Sequence, residues 1–105
     1  MSSRLQRLQQ FLAEQPDDPF LLFALAKEYE KMNDDETALS YYTKLTSEHA
    51  DYVGTYYHLG KLYERGERYE QATKTYERGM EVARQAGDMH ARGELATAKM
   101  LLEEE

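Results

Sequence analysis

Residues 53–86 read VGTYYHLGKLYERGERYEQATKTYERGMEVARQA, and the placement of small and large residues in this stretch decides the fold. Tyr56, Leu59, Gly60 and Tyr63 recur at helical spacing, as do Tyr69, Ala72, Tyr76 and Gly79, with Gly66 between the two runs. Stripes of this period are the mark of amphipathic helices, and one glycine between two of them marks a turn, so the stretch predicts a helical hairpin. Working outward, the same pattern lies 34 residues upstream: Leu22 precedes Tyr56, Leu25 precedes Leu59, Ala26 precedes Gly60, Tyr29 precedes Tyr63, Ala38 precedes Ala72 and Tyr42 precedes Tyr76. Large residues map onto large ones and small onto small, which two unrelated helices rarely share, so the chain holds an internal repeat.

Gly60 and Gly79 each lower helix propensity by about 1 kcal/mol relative to Ala. That cost is offset only where two helices approach closely enough to use the missing side chain. The small residues Ala26, Ala38, Gly60, Ala72 and Gly79 are therefore expected to make room for Tyr29, Tyr42, Tyr63 and Tyr76, with all four rings in the core. Periodicity and punctuation predict six helices, over 3–15, 19–31, 36–48, 53–65, 70–85 and 88–103. Pro19 suits a first helical position behind Asp17 and Asp18, and Asp88 can cap the last helix. Asn33, Asp34 and Asp35 on one side and Gly66 on the other are expected to supply the left-handed or turn conformations between paired helices.

These residues resemble the tetratricopeptide repeat, in which a large residue, Leu, a small residue and Tyr are followed by a small residue, an aromatic and Pro. Repeat one is Leu22, Leu25, Ala26, Tyr29, Ala38, Tyr42; repeat two is Tyr56, Leu59, Gly60, Tyr63, Ala72, Tyr76, the closer match. The repeat Pro is absent from both, where Ala50 and Arg84 stand, which predicts longer helical exits; Leu8, Phe11 and Pro16 take the corresponding positions of a half repeat. The resemblance implies an all-α fold, a right-handed α-α superhelix of about six antiparallel helices. It further implies one domain over 1–105: a half repeat at 3–16, repeat one at 19–52, repeat two at 53–86, and a capping helix at 88–103. In that last helix Ala91, Leu95, Ala98 and Leu102 form the inward stripe, and in the first helix Leu5, Leu8, Phe11 and Leu12 do so.

The resemblance also implies a non-catalytic module that binds a peptide or helix of a partner protein in a concave groove lined by the first helix of each hairpin. Setting the packing residues aside leaves Phe20, Phe23, Lys27 and Lys31 in repeat one and Tyr57, Lys61 and Arg65 in repeat two, with Arg92 and Lys99 on the last helix. Positions 23, 27 and 31 map onto 57, 61 and 65 at the same offset of 34. Such an aromatic and basic stripe would favour a partner with acidic groups. An ordinary solvated face is the competing reading, since Lys31 and Arg65 end their helices, where a cation stabilises the dipole, and Glu28, Glu30 and Glu64 stand close enough to neutralise it. The carboxylate clamp of some family members is not matched: Phe23, Lys27, His58 and Asp88 occupy its positions, and only Arg92 fits. The alternative function is a structural subunit that self-associates, as a homodimer, or docks into an assembly through its terminal helices, because helix one has no helix before it.

Composition narrows the rest. The 105 residues carry a net charge of −7, which opposes binding to nucleic acid or to an anionic membrane surface. With no cysteine there is no disulfide framework and no thiolate metal site, and a reducing, cytoplasmic location is expected. The amino terminus lacks the apolar run of a secretory signal, and Phe20 to Ala26, the longest apolar run, is far short of the ~20 residues that span a membrane. Ser47, His49 and Asp51 are neighbours in sequence without the geometry of a triad. His49, His58 and His90 lack metal-ligand spacing, and Asp34-Asp35-Glu36 lacks that of a calcium loop. No enzyme, cofactor or metal is therefore expected.

Overall fold

The computed structural model describes residues 3–104, and among them it holds six helices and no strand: α1 (Ser3–Glu14), α2 (Pro19–Lys31), α3 (Asp35–Glu48), α4 (Gly54–Arg65), α5 (Tyr69–Ala86) and α6 (Met89–Glu103). Each helix end falls within one residue of its expected place. The helices form two compact units, one ending at His49 and one beginning at Ala50.

In the unit that ends at His49, Pro19 opens α2 and the Asp18 carboxylate accepts from the Phe20 N–H at 2.9 Å, which satisfies one of the donors a helix start leaves bare. Leu5 and Leu8 of α1 pack with Leu21, Ala24 and Leu25 of α2, edged by Leu12, Tyr29 and Tyr41. Tyr29 stacks on Tyr41 with centroids 5.7 Å apart, and its hydroxyl accepts from Gln9 Nε2 at 3.0 Å. Arg4 reaches the largely buried Glu28 at 3.0 Å. Phe11 corrects the expected α1 stripe: it is 54% exposed, because at 100° per residue it falls outside the arc shared by Leu5, Leu8 and Leu12.

In the unit that begins at Ala50, the glycines do what their cost requires. A Cβ on Gly60 would lie 2.2 Å from Tyr76 Cε1, and one on Gly79 would lie 2.5 Å from Tyr56 Cβ. Tyr56 and Tyr76 accordingly sink beneath the surface with Ala72, Leu95 and Ala98, edged by Tyr63, Met80, Val82 and Leu102. Burying a phenol demands a partner for its hydroxyl. Tyr76 donates to Glu64, Tyr42 donates to Glu30 in the other unit at the same offset, and Tyr56 donates to the Ala50 carbonyl at 2.5 Å. Burial, reinforced by Glu64, pushes the Tyr76 phenol well above its ordinary range; burial also raises Tyr56, with Arg78 opposing. Tyr29 and Tyr63 depart from expectation in being half-buried at the core edge.

The turns also differ from expectation at one point. The left-handed residues are Asn33 (φ 61°) and Glu67 (φ 60°), one repeat apart, whereas Gly66 has φ −85°. In both turns the next residue closes the helix end: the Asp34 N–H reaches the Tyr29 carbonyl and the Arg68 N–H reaches that of Tyr63, each at 2.9 Å. Gly87 (φ 73°) repeats this at the end of α5, where the Asp88 N–H meets the Ala83 carbonyl at 2.9 Å. The repeat Pro is missing after both helices, yet only α5, at 18 residues, runs on through Arg84, whereas α3 ends at Glu48 after 14.

Candidate interaction surface

Within the unit that begins at Ala50, the residues singled out in the sequence divide between two hollows, Tyr57 and Lys61 in one and Arg92 and Lys99 in another. On α2, Phe20 is 60% exposed, Lys27 and Lys31 are exposed, and Phe23 is half-buried with its ring edge-on to Tyr42 at 6.2 Å. Phe23 therefore serves the core as well as the surface.

On α4, Tyr57 faces out and gathers its neighbours. The Lys61 ammonium lies 5.6 Å from its ring centroid, and the His58 ring meets it edge-on at 5.6 Å. Lys61 also reaches Glu64 at 3.7 Å, so the expected neutralisation holds at this position. Arg65 is exposed in the last turn.

The structure brings Tyr57 and Lys61 to one wall of an open trough of about 560 Å³, whose other wall is α6 with Met89, His90, Glu94 and Leu101. Gly93, Thr97 and the buried Ala98 also line it, and a Cβ on Gly93 would meet nothing within 4 Å. Arg92 and Lys99 line a different depression with Glu77, Met80 and Glu81 of α5. Their positions on α6 lie about half a turn from His90 and Thr97. Lys99 is paired there with Glu77 at 3.6 Å and Glu103 at 3.3 Å. Beside it, Arg84 bonds Glu81 through two nitrogens at 2.9 and 2.6 Å, which together with Gln85 holds the Glu81 carboxyl down at about 2.

Sequence reasoning missed the α6 half of the trough. Leu95 and Ala98 are buried as expected, but Met89 is 59% and Leu101 53% exposed on a second face. The signal was present: Met89, Gly93, Thr97 and Leu101 recur every fourth residue. Reading α6 as a solvating cap hid them.

Other sequence features resolve locally. Asp34 caps α3 by accepting from the Thr37 N–H at 3.2 Å, and Ser47 turns its hydroxyl to the Lys44 carbonyl of its own helix at 3.1 Å. Among the described residues no three His, Cys, Asp or Glu side chains are grouped to hold a metal ion, and no helix is long and apolar enough to cross a membrane.

Comparison with known proteins places the repeats in a family. Two tetratricopeptide repeat models match, one over residues 21–51 and one over residues 53–85. A tetratricopeptide repeat domain protein from Salinibacter ruber is 48% identical; its solution structure aligns with TM-score 0.81 over 84% of this chain and 89% of that one. Its crystal structure aligns with TM-score 0.79 over 82% and 96%. A protein from Bordetella parapertussis, 25% identical, aligns with TM-score 0.84 over 99% of this chain and 90% of that one. No curated protein matches. The chain belongs to the tetratricopeptide repeat family, and its fold class is the all-α helical solenoid expected from the sequence. Repeats of this family generally mediate protein–protein interaction and are typically non-catalytic.

Proposed function

We propose that the protein is an interaction module without catalytic chemistry, working in the cytoplasm, and that the trough between α4 and α6 receives a peptide or helix of a partner protein. One observation carries this reading: Tyr57, Met89 and Leu101 expose apolar surface to a single trough, with Lys61 on its rim. Apolar side chains held open on one surface suit a segment that buries its own apolar residues against them. Arg92 and Lys99 lie outside this site. In the unit ending at His49, exposed Phe20 with Lys27 and Lys31 supplies a second contact surface. A photo-crosslinking residue at position 57 tests the trough against one at position 85 on the outer face of α5. The partner should be captured at 57 and not at 85; equal capture at both, or capture at 85 alone, contradicts the assignment.

Self-association through the amino-terminal helix is the second reading, favoured by the exposure of Phe11 on α1. It predicts a concentration-dependent dimer in sedimentation that Phe11→Ser abolishes. A monomer at all concentrations removes it.

A further inference from the structure

The trough shares Tyr57, His90 and Glu94 with a neighbouring hollow of about 410 Å³, which adds Val53, His58 and Asp88 to the lining. The two make one surface between α4 and α6, on which Val53, Tyr57, Met89 and Leu101 are the larger apolar side chains. Its ionised groups are Lys61, Asp88 and Glu94. Lys61 is matched from behind by Glu64 at 3.7 Å. Asp88 also caps α6 by accepting from the Ala91 N–H at 3.0 Å, and Glu94 lies 3.6 Å from His90; neither carboxylate loses its charge by these contacts. Above the ordinary range of imidazole, one cation thus faces three carboxylates. The starts of α4 and α6 add about half a positive charge each, and the balance stays negative. An acidic partner is what the basic stripe of the sequence implies, but three of its cations, Arg65, Arg92 and Lys99, line neither hollow.

We propose that this surface takes a segment of a partner protein in which lysine or arginine stands among apolar residues, the cations meeting Asp88 and Glu94. The inference rests on the trough being the interaction surface, and it fixes the charge of the occupant. Charge complementarity carries the choice: an acidic segment would bring like charge to a negative lining, whereas a basic one relieves it. From Asp88 to Leu101 the α6 wall runs about 20 Å, which an extended segment covers in about six residues. Two cations, each about 7 Å through solvent from one carboxylate, correspond to about a three-fold gain in affinity at low salt.

The test is a titration of the isotope-labelled protein at pH 8.0 and low salt with three acetylated, amidated nonapeptides, which alternate Leu with Lys, with Gln or with Glu. Amide shifts of Tyr57, Ala91, Gly93 and Leu101 are followed. The Lys peptide should saturate at about three-fold lower concentration than the Gln peptide and about ten-fold lower than the Glu peptide, and high salt should remove most of the difference. Asp88→Asn/Glu94→Gln should abolish the preference for Lys over Gln at an unchanged thermal midpoint, since Asn caps a helix as well as Asp does. Glu36→Gln/Glu48→Gln removes the same charge from exposed positions of α3 and should leave that preference in place. Equal loss in the two double variants assigns the preference to the charge of the whole protein and overturns the inference. Equal saturation by all three peptides, or tighter binding of the Glu peptide, overturns the basic occupant while leaving the surface standing. No shift at these four residues with any peptide overturns the surface itself.

Discussion

Gly79 and Tyr56 show how one repeat solves a packing problem differently from its copy. The residues one repeat upstream are Leu45 and Leu22, both fully buried. Repeat one uses two medium side chains where repeat two uses a large one and none. Gly79→Ala should therefore destabilise by about 1–3 kcal/mol despite its better helix propensity, since a Cβ meets Tyr56 Cβ, which moves only with its backbone. Adding Tyr56→Leu should recover part of the loss, as urea denaturation of the single and double variants would show. Gly60→Ala should cost less, because repeat one carries Ala26 and Tyr42, both fully buried, at the positions equivalent to Gly60 and Tyr76. Glu67 is a bulky residue held at φ 60°, so Glu67→Gly should raise stability by about 0.5–1 kcal/mol, measured the same way.

Helix ends were mostly legible in the sequence, and the exceptions have physical causes. Asp18, Asp34 and Asp88 announce their helices by capping them. Arg68 stands where Asp34 stands one repeat earlier, with φ −99° and ψ 68° against −99° and 72°, yet gives α5 no side-chain cap. Arg68→Asp should gain about 0.5–1 kcal/mol in thermal or urea unfolding, less what is lost from its contact with the Tyr63 ring at 5.0 Å. Gly66 marked the turn but not its left-handed residue, which is Glu67, because propensity cannot see which of two adjacent residues takes that conformation. Within α5, the Arg84 clamp on Glu81 gives a pH signature. The carboxyl falls from 4.5 to about 2, so its favourable contribution is complete above 4.5 and is lost as pH drops towards 2. Carbon-detected NMR should place the Glu81 midpoint near 2, and Arg84→Gln should return it most of the way to its ordinary value.

At the scale of the molecule, the 34-residue period revealed the repeats because small-for-small and large-for-large pairing is written into the core of each hairpin. The candidate site was only half legible. Tyr57 and Lys61 obeyed the repeat and were found by it. Met89, Gly93, Thr97 and Leu101 fall one period after Thr55, Leu59, Tyr63 and Glu67, which differ from them in size and exposure, so the 34-residue offset did not mark them. Arg92 and Lys99 looked equivalent to groove positions by counting alone, but they turn to α5 because Leu95 and Ala98 fix the rotation of α6. Function here depends on which faces packing leaves open, and a period cannot report that for a terminal helix.

The most direct measurement is the affinity of the partner captured at position 57, determined by calorimetry for the unmodified protein, for Tyr57→Ala combined with Leu101→Asp, and for Phe11→Ser, all at matched thermal midpoints. The account predicts at least a ten-fold loss for the double variant, equivalent to about 1.4 kcal/mol or more, and no change for Phe11→Ser. Unaltered affinity of the double variant, with the loss appearing at Phe11 instead, would contradict it.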